Sequence, residues 1–275
     1  MGFKYINRPR GGSSRAFDAE VLAWRDAVIL NGGSVSLSRL IIVDQFVFSA
    51  RASGAWTLTD DYWALWAENA IQALTSLKQR RLATMVNSPS FTPDHGYAFN
   101  GTTQYVDTGF IPSTHAAVIT ATSARIEAYE RANVATNTYA AGVADASNKR
   151  LTVSPRDGGG TRVYGEANAA AATFVLSGAD SRGLTAVSRN GGTAADCVAY
   201  KNGVAITRAT DPAGFGATLP VVSVFIGGFN AAGVLSNPRA SSIGFVSCGA
   251  ALSVAQELAH YNAVQEFASA VGAQV

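Results

Sequence analysis

The sequence predicts a mainly β protein, an antiparallel sandwich preceded by a small helical bundle and closed by a C-terminal helix. Three observations favour this fold class. Apolar residues follow a helical period before residue 82 and alternate with a period of two after it. Glycine-containing turns separate the alternating segments at short intervals, with no helical pattern between them. A helical pattern returns only at Ser253.

Composition bounds the classes of function. The chain has 275 residues, a net charge of +2 and 15% charged residues, well below the usual quarter. No basic face is visible, which argues against a nucleic-acid partner. The longest apolar run, residues 40–43, is far shorter than the ~20 residues that span a bilayer, so no membrane partner is expected. The N-terminus lacks the apolar region of a secretion signal, which predicts synthesis in the cytoplasm.

Residues 1–14 are predicted to form a flexible docking arm. Pro9 interrupts regular structure, and residues 11–14 (GGSS) are typical of a linker. Such an arm can add as a strand to the edge of a partner's sheet, with basic residues favouring an acidic surface. The alternative is an ordinary disordered terminus. The predicted docking residues are Phe3, Lys4, Tyr5, Ile6, Arg8 and Arg10.

Residues 15–81 are predicted to form a bundle of three helices. The first runs from a cap at Ser14 to Leu30, and the second from Ser36 or Ser38 to Ala50. The third is expected over residues 59–81, capped by the Thr-Asp-Asp at 59–61. The spacing of Trp63 and Trp66 on this helix fits a bundle core better than a platform for a sugar.

Residues 82–275 are predicted to form the sandwich and its C-terminal helix. The strongest hairpin signal is the Asn-Gly pair at 202–203 between two short β-branched runs. A capping box at Ser253 and Gln256 starts the last helix, which is expected to pack on the bundle. The candidate strands are 97–99, 103–109, 117–128, 138–144, 149–153, 161–167, 183–189, 195–200, 203–208, 221–229 and 241–247.

The apolar stripe predicted for the last helix consists of Val254, Leu258, Tyr261, Val264 and Phe267.

The two cysteines, Cys197 and Cys248, fall in separate candidate strands. Buried free thiols are the expected state for a protein made in a reducing compartment. A disulfide is the alternative if the two strands are neighbours. No pair of cysteines has the spacing of a zinc site.

Three segments together resemble a known family. They are GYAFNGTTQYVDTGFIPST at 96–114, FIGGFNAAG at 225–233 and SSIGFVSCG at 241–249. They resemble the opening and closing strands of the concanavalin A-like (laminin-G-like) jelly roll. With the helical lead and the LATMVNSPSFTPDHGYAFNG segment at 82–101, the chain is similar over residues 16–272 to phage and prophage virion proteins.

The resemblance implies a binding or structural role rather than a named ligand. It implies a non-enzymatic virion structural or decoration protein, located in the virion and attached to other virion proteins through its N-terminal part. Its sandwich would project as a lectin-like module, and self-association is expected with a trimer favoured, in part through residues 167–173. The alternatives are a tail-fibre adhesin that recognises a host surface glycan and, less favoured, a polysaccharide hydrolase.

No catalytic constellation is visible. Resembled hydrolases carry acids on one strand as ExDxxE, whereas Glu127 and Glu130 are three residues apart and would face opposite sides of a strand. No nucleophile elbow or Walker loop is present. The sequence therefore predicts no enzyme, no catalytic residue, no metal and no cofactor. A calcium site would have to use Asp107, Asp145 and Asn230, for which turn formation is the commoner explanation.

A sugar site usually presents an aromatic ring beside polar groups, because the apolar face of a sugar stacks on the ring. Four aromatic residues on strands or loops are candidates: Phe215, Tyr139, Tyr164 and Phe229. Phe215 is favoured because glycines flank it in the loop DPAGFGA at 211–217. The alternative is that its ring folds back over the edge of the sandwich.

Overall fold

A computed structural model describes residues 16–146, 149–176 and 178–275. The predicted docking residues Phe3, Lys4, Tyr5, Ile6, Arg8 and Arg10 lie outside these ranges. In the part described, the predicted fold class is confirmed: helices precede an antiparallel β-sandwich and one helix closes it.

The helices are α1 Ala19–Leu30, α2 Leu37–Ala52, α3 Ala55–Leu58, α4 Ala70–Leu74, α5 Pro112–His115 and α6 Val254–Ala270. The strands are β1 Thr59–Ala64, β2 Thr84–Val86, β3 Ser90–Thr92, β4 Gly96–Ala98, β5 Tyr105–Asp107, β6 Ser123–Glu130, β7 Ala141–Ala146, β8 Lys149–Ser154, β9 Arg162–Ala167, β10 Ala172–Val175, β11 Gly183–Asn190, β12 Cys197–Lys201, β13 Val204–Ile206, β14 Arg208–Thr210, β15 Phe225–Ile226, β16 Phe229–Ala231, β17 Val234–Ser236 and β18 Ser242–Gly249.

Two sheets face each other. The first sheet has the order β13-β12-β11-β6-β18-β4-β3, and β1 also pairs with β18. The second sheet has the order β14-β10-β9-β8-β7-β15-β5-β2, with β16 on β7 and β17 on β16. Side chains such as Ile126, Val153 and Phe174 fill the space between them. Gly165 lets the sheets approach closely, because a Cβ there would lie 2.2 Å from Cγ2 of Val187.

A second apolar layer lies on the other face of the first sheet. Helices α1, α2 and α6 contribute Trp24, Phe46 and Phe267 to an apolar cluster that also contains Tyr129 and Phe245 of the sheet. The Phe46 ring meets that of Phe245 edge-on. The molecule is therefore built of three layers, helices then first sheet then second sheet. The outward face of the second sheet lies on the side opposite to the helices.

The predicted third helix over residues 59–81 is wrong. Residues 59–64 form β1, which pairs with β18, and only the short α4 is helical beyond it. The two acidic residues that were expected to cap a helix instead accept hydrogen bonds from backbone N–H groups that are distant in the sequence. Asp60 accepts from the N–H groups of residues 117–119, and Asp61 accepts from those of residues 78 and 79. Trp63 and Trp66 are both buried, but they do not share the predicted bundle core: Trp66 lies in the apolar cluster under the helices, whereas Trp63 lies in the core between the two sheets.

The other helix predictions agree with the structure more closely. Helix α1 begins later than predicted, at a cap by Asp18, and α2 is capped by Ser36. The capping box of α6 at Ser253 and Gln256 is present. Within the described residues, no helix combines the length and apolar character that crossing a membrane requires.

The Asn-Gly hairpin at 202–203 is confirmed between β12 and β13. Both turn residues have positive φ, 50° and 75°, as a two-residue hairpin loop requires. Cys197 and Cys248 are buried free thiols. They lie on β12 and β18, which β11 and β6 separate in the first sheet, so at ~4.8 Å per strand they are too distant to pair.

Candidate functional site

A cavity of about 220 Å³ opens on the outward face of the second sheet. Its lining residues are Asn137, Tyr139, Ser154, Tyr164 and Asn237. We call this cavity the tyrosine pocket. Its volume is below the ~300–1,000 Å³ of sites for drug-sized ligands, so it suits one small ring.

Strand register builds the floor of the tyrosine pocket. On β8 and β9 the side chains alternate, and Val153 and Val163 point into the core while Ser154 and Tyr164 point outward. Ser154 is directly opposite Tyr164 across the two strands. The next outward pair along the same strands is Thr152 opposite Glu166.

Tyr139 forms a wall of the tyrosine pocket just before β7 begins. Its backbone N–H donates to the carbonyl of Asn237 at 3.1 Å. This hydrogen bond joins the wall formed by Tyr139 to the wall formed by Asn237. Its ring meets that of Phe229 edge-on, with the centroids 5.0 Å apart. Burial and then the negative charge of Glu166 raise the pKa of the Tyr139 hydroxyl.

The side chain of Arg239 holds both the Tyr139 wall and the Asn237 wall in place. Its side chain is fully buried and pairs with Glu130, with Nε 2.5 Å from Oε1 and Nη2 2.9 Å from Oε2. The guanidinium also donates to the carbonyls of Val134 at 2.9 Å and Thr138 at 3.0 Å. These bonds hold the segment that carries Asn137 and Tyr139, while Arg239 itself follows Asn237 by two residues.

Several buried polar atoms at this face have no hydrogen-bond partner among the described residues: Ser154 Oγ, Thr152 Oγ1, Glu166 Oε2 and Arg150 Nε. Buried polar groups are rarely left unpaired in proteins. Of these residues, Ser154 is the one that lines the tyrosine pocket, so its hydroxyl is the unpaired group at the pocket itself. Glu166 binds Arg150 Nη1 through its other oxygen at 3.2 Å. Burial outweighs this ion pair and raises the pKa of Glu166 to about 7.

The structure brings three of the four predicted ligand residues together. Tyr139 and Tyr164 line the tyrosine pocket, and Phe229 supports the Tyr139 ring. Phe215 lies elsewhere, bridged to Ala169, with the Arg189 guanidinium 4.4 Å from its ring centroid. This contact places Phe215 in local packing, in line with the alternative that its ring covers an edge of the sandwich.

Sequence reasoning missed the polar part of this site: Asn137, Ser154, Asn237, Glu166 and Arg239. One signal for it exists in the sequence. On β8 and β9, polar residues alternate with core residues, so Thr152, Ser154 and Glu166 share the outward face. No sequence pattern indicates that Asn137 and Asn237 meet, because the chain brings them together from 100 residues apart.

The candidate calcium ligands have other contacts. Asp107 accepts from the N–H of Gly109, and Asp145 accepts from that of Val221 while it pairs with Lys149. Asn230 donates to the carbonyl of Ser223. Across residues 16–146, 149–176 and 178–275 no group of three His, Cys, Asp or Glu side chains is placed to hold a metal ion.

The two acids weighed for hydrolysis lie in buried ion pairs. Glu130 pairs with Arg239, and Glu127 belongs to a fully buried network between the first sheet and α6. In that network Glu127 accepts from Arg125 and lies 2.8 Å from His260 Nε2. Burial favours the neutral form of Glu127, but Arg125 and then His260 outweigh it and lower the pKa to about 2.

No protein-family model and no curated protein sequence matches the chain. Among solved structures, a Trypanosoma rangeli sialidase mutant that displays trans-sialidase activity aligns with a TM-score of 0.50 and 12% identity. The alignment covers 84% of this chain and 40% of that chain, so the chain spans about two fifths of the sialidase.

Two further structures align at lower TM-scores. Domain 4 of AbnA, a GH43 extracellular arabinanase from Geobacillus stearothermophilus in complex with arabinotriose, aligns at 0.46 with 13% identity over 73% of this chain and 97% of that domain. The Ruminococcus gnavus IT-sialidase CBM40 bound to α2,3 sialyllactose aligns at 0.33 with 15% identity over 52% of this chain and 85% of that chain.

These comparisons correct one prediction. The sequence was expected to encode a non-enzymatic protein, but the alignment with a TM-score of 0.50 is to a sialidase variant with trans-sialidase activity. The comparisons show no link to phage particles. What they support is the architecture itself, a β-sandwich.

Proposed function

We propose that the chain binds carbohydrate in the tyrosine pocket. The observation that carries the proposal is the combination, in one small cavity, of two partly exposed tyrosine rings with the unpaired hydroxyl of Ser154 and the side chains of Asn137 and Asn237. A sugar has an apolar ring face that stacks on an aromatic side chain and hydroxyl groups that need polar partners. The sandwich fold shared with the sialidase chain is consistent with this function.

Each part of the tyrosine pocket has a role in this proposal. The rings of Tyr139 and Tyr164 supply stacking surface. The side chains of Asn137, Ser154 and Asn237 lie at the rim and floor, where they can donate to and accept from hydroxyl groups. Because the walls are held by Arg239, the pocket is largely formed before any ligand arrives, which lowers the entropy lost on binding.

A glycan array followed by calorimetric titration of the best glycan tests the proposal. We expect Tyr139→Ala and Tyr164→Ala each to weaken binding about tenfold, which corresponds to ~1.4 kcal/mol of lost stacking. Phe215→Ala is the matched control, because this aromatic residue lies away from the pocket and should leave affinity unchanged. If only Phe215→Ala lost binding, the sugar site would be the loop at 211–217 and not the tyrosine pocket.

Glycoside cleavage is a second candidate function, and one observation favours it. The pKa of Glu166, about 7, is in the range that suits a general acid at neutral pH. The cross-strand row that contains Glu166 runs through Thr152, Gly142 and Phe225 to Asp107. Glu166 and Asp107 are therefore four strand spacings of ~4.8 Å apart. This separation is larger than the ~5–9.5 Å between the two carboxyl groups of a catalytic pair, so Asp107 does not serve as the second acid. Release of reducing sugar by the wild type but not by Glu166→Gln would establish this function.

Attachment to a virion is a separate proposal that rests on the sequence resemblance. In it, the arm at residues 1–14 binds another virion protein, the chain forms a trimer, and the sandwich presents a host glycan site. Residues 167–173, expected to take part in self-association, are mostly buried within the chain itself. Deleting residues 2–12 should leave the melting temperature unchanged and abolish incorporation into particles. Incorporation at the wild-type copy number would rule out the arm as the anchor.

A further inference from the structure

Asn137 presents hydrogen-bond donors on the Tyr139 wall of the tyrosine pocket. It lines the pocket and its side chain is exposed. Its Oδ1 accepts from the backbone N–H of Gly158 at 2.8 Å, and this bond distinguishes the oxygen end of the carboxamide from the nitrogen end. The Nδ2 group, with two N–H donors, donates to no described residue. Asn137 can therefore donate to the carbonyl or hydroxyl oxygen of a ligand.

Asn237 supplies the complementary group on the other wall. It is exposed and lines the pocket, and its backbone has φ of 43°, in the left-handed region that asparagine adopts more readily than most residues. Its backbone carbonyl is held by the N–H of Tyr139 at 3.1 Å. The side-chain carboxamide has no hydrogen-bond partner among the described residues, so its Oδ1 can accept from an N–H of a ligand.

A secondary amide fits between these two walls. Asn137, Tyr139, Ser154, Tyr164 and Asn237 are all uncharged types, so the pocket offers hydrogen bonds rather than an ion pair. A secondary amide is planar and trans, so its N–H and C=O point in opposite directions and can reach one asparagine each. A methyl group on that amide adds an apolar surface that packs on a tyrosine ring. A hydroxyl group at the same ring carbon is a single polar atom and cannot bridge the two walls.

We infer that the tyrosine pocket takes one sugar ring with an acetamido substituent, a neutral N-acetylhexosamine. The inference rests on the proposed carbohydrate-binding function and names its ligand class. In it, Asn137 donates to the acetamido carbonyl and Asn237 accepts from the acetamido N–H. These two residues determine specificity, whereas the tyrosine rings stack on any sugar and the Ser154 hydroxyl bonds a ring hydroxyl at the floor.

Matched methyl glycosides test the inference with the full chain. N-acetylglucosamine with glucose, and N-acetylgalactosamine with galactose, differ only in the substituent at C2, and affinities are measured by NMR titration. We expect the acetamido member to bind at least tenfold tighter in one pair or both, which corresponds to ~1.4 kcal/mol. The member without the acetamido group should still bind, because it keeps the stacking on the tyrosine rings.

Two variants remove one hydrogen bond each. Asn137→Asp keeps the acceptor for the Gly158 N–H but loses the donors at Nδ2. Asn237→Gly keeps the left-handed backbone and loses the acceptor. Each should weaken binding of the acetamido sugar about tenfold and leave the plain sugar within about twofold, a difference that general damage to the pocket does not produce. Asn190→Asp, at the exposed end of β11 in the first sheet, is the control and should leave the preference intact.

The outcomes separate the inference from the proposed function. If plain sugars bind and the acetamido member is equal or weaker in both pairs, the inference is overturned and the proposed function stands. A preference that survives both Asn137→Asp and Asn237→Gly also overturns the inference. Should one of these variants not fold, the other tests its own hydrogen bond independently. Failure of every sugar to bind the wild type overturns the proposed function and the inference with it.

Discussion

At the scale of single residues, Arg239 organises the candidate site without lining it. Its guanidinium has five N–H donors, and the structure directs them to Glu130 and to backbone carbonyls of the adjoining loop. A lysine at this position would keep the charge but would lose the planar fork that reaches several carbonyls at once.

Two substitutions of Arg239 should distinguish the contribution of its positive charge from that of its planar guanidinium group. We expect Arg239→Met to lower the free energy of unfolding by ~3–5 kcal/mol, because Glu130 is left buried and unpaired. Arg239→Lys should cost less stability but should still weaken sugar binding, because the loop with Asn137 and Tyr139 loses its supports. Denaturant unfolding and sugar titration measure the two effects. Arg182→Met, at an exposed pair with Asp180, is the control and should change neither.

Glu166 should also make stability depend on pH. Its pKa is raised from 4.5 to about 7 in the folded chain, so ionisation disfavours the folded state. The stabilising effect of the neutral acid is fully present below about pH 4.5 and is lost as the pH rises through about 7. A difference of 2.5 pKa units corresponds to about 3 kcal/mol. Glu166→Gln should remove this part of the pH dependence. The part due to Asp61 should remain, because burial raises the pKa of Asp61 to about 6.

Urea unfolding of the wild type and Glu166→Gln at pH 4.5, 6 and 8 measures the difference. Curves that stay parallel across this range would contradict the raised pKa of Glu166.

At the scale of elements, α6 shows that the spacing of apolar residues predicts the presence of a helix more reliably than it predicts which face of the helix is buried. The predicted apolar stripe begins with Val254 and Leu258, yet these side chains are 63% and 47% exposed. The buried face of the same turns carries Glu257 and His260 instead. Their partners, Arg125 and Glu127, lie on β6, so this face could not be predicted from the helix sequence alone.

Two substitutions on α6 distinguish the predicted face from the observed one. Glu257 receives hydrogen bonds from Arg125 at 2.7 and 3.0 Å, and both residues are buried. Glu257→Gln should therefore destabilise the protein by ~3–5 kcal/mol. Val254→Ala, on the exposed side, should change stability by no more than ~0.5 kcal/mol. Thermal or denaturant unfolding decides between them, and equal losses would contradict the observed packing of α6.

Strand β1 is the element that sequence reasoning assigned to the wrong class. Its residues 59–64 follow an apparent helix cap and contain no glycine or proline, so the local pattern fits a helix. Pairing with β18 and the distant partners of Asp60 and Asp61 override that pattern. By contrast, the turn after β12 and the cap of α6 depend on neighbouring residues alone and were predicted correctly, and the cap of α2, Ser36, is one of the two that were predicted.

At the scale of the whole molecule, the sandwich and its flanking helices could be predicted because periodicity changes along the chain. The site could be predicted only in its aromatic part. Its polar part depends on strand register and on loops joined by Arg239, which are long-range features. Whether residues 15–81 fold as a unit of their own stays a prediction.

Removal of residues 1–81 should leave a sandwich that does not fold well. The fragment 82–275 keeps α6 but lacks β1 and the helices α1 and α2, so Tyr129, Leu184 and Phe245 would lose much of their cover. Burial of each such side chain contributes ~1.5–3 kcal/mol, against a typical net stability of ~5–15 kcal/mol. Gel filtration and thermal melting of the fragment should show aggregation or a much lower melting temperature. A monomer that melts like the full chain would contradict this expectation.

The order of the layers has a consequence for binding at surfaces. Helices α1, α2 and α6 occupy one side of the molecule, and the tyrosine pocket opens on the other. Copies fixed to a support by their helical side would all present their pockets in the same direction. A glycan that carries repeated sugar units would then meet several pockets at once, and the effective concentration of the second sugar would reach the millimolar range for short spacings. Weak binding of a single ring would become durable attachment with no change to the pocket itself.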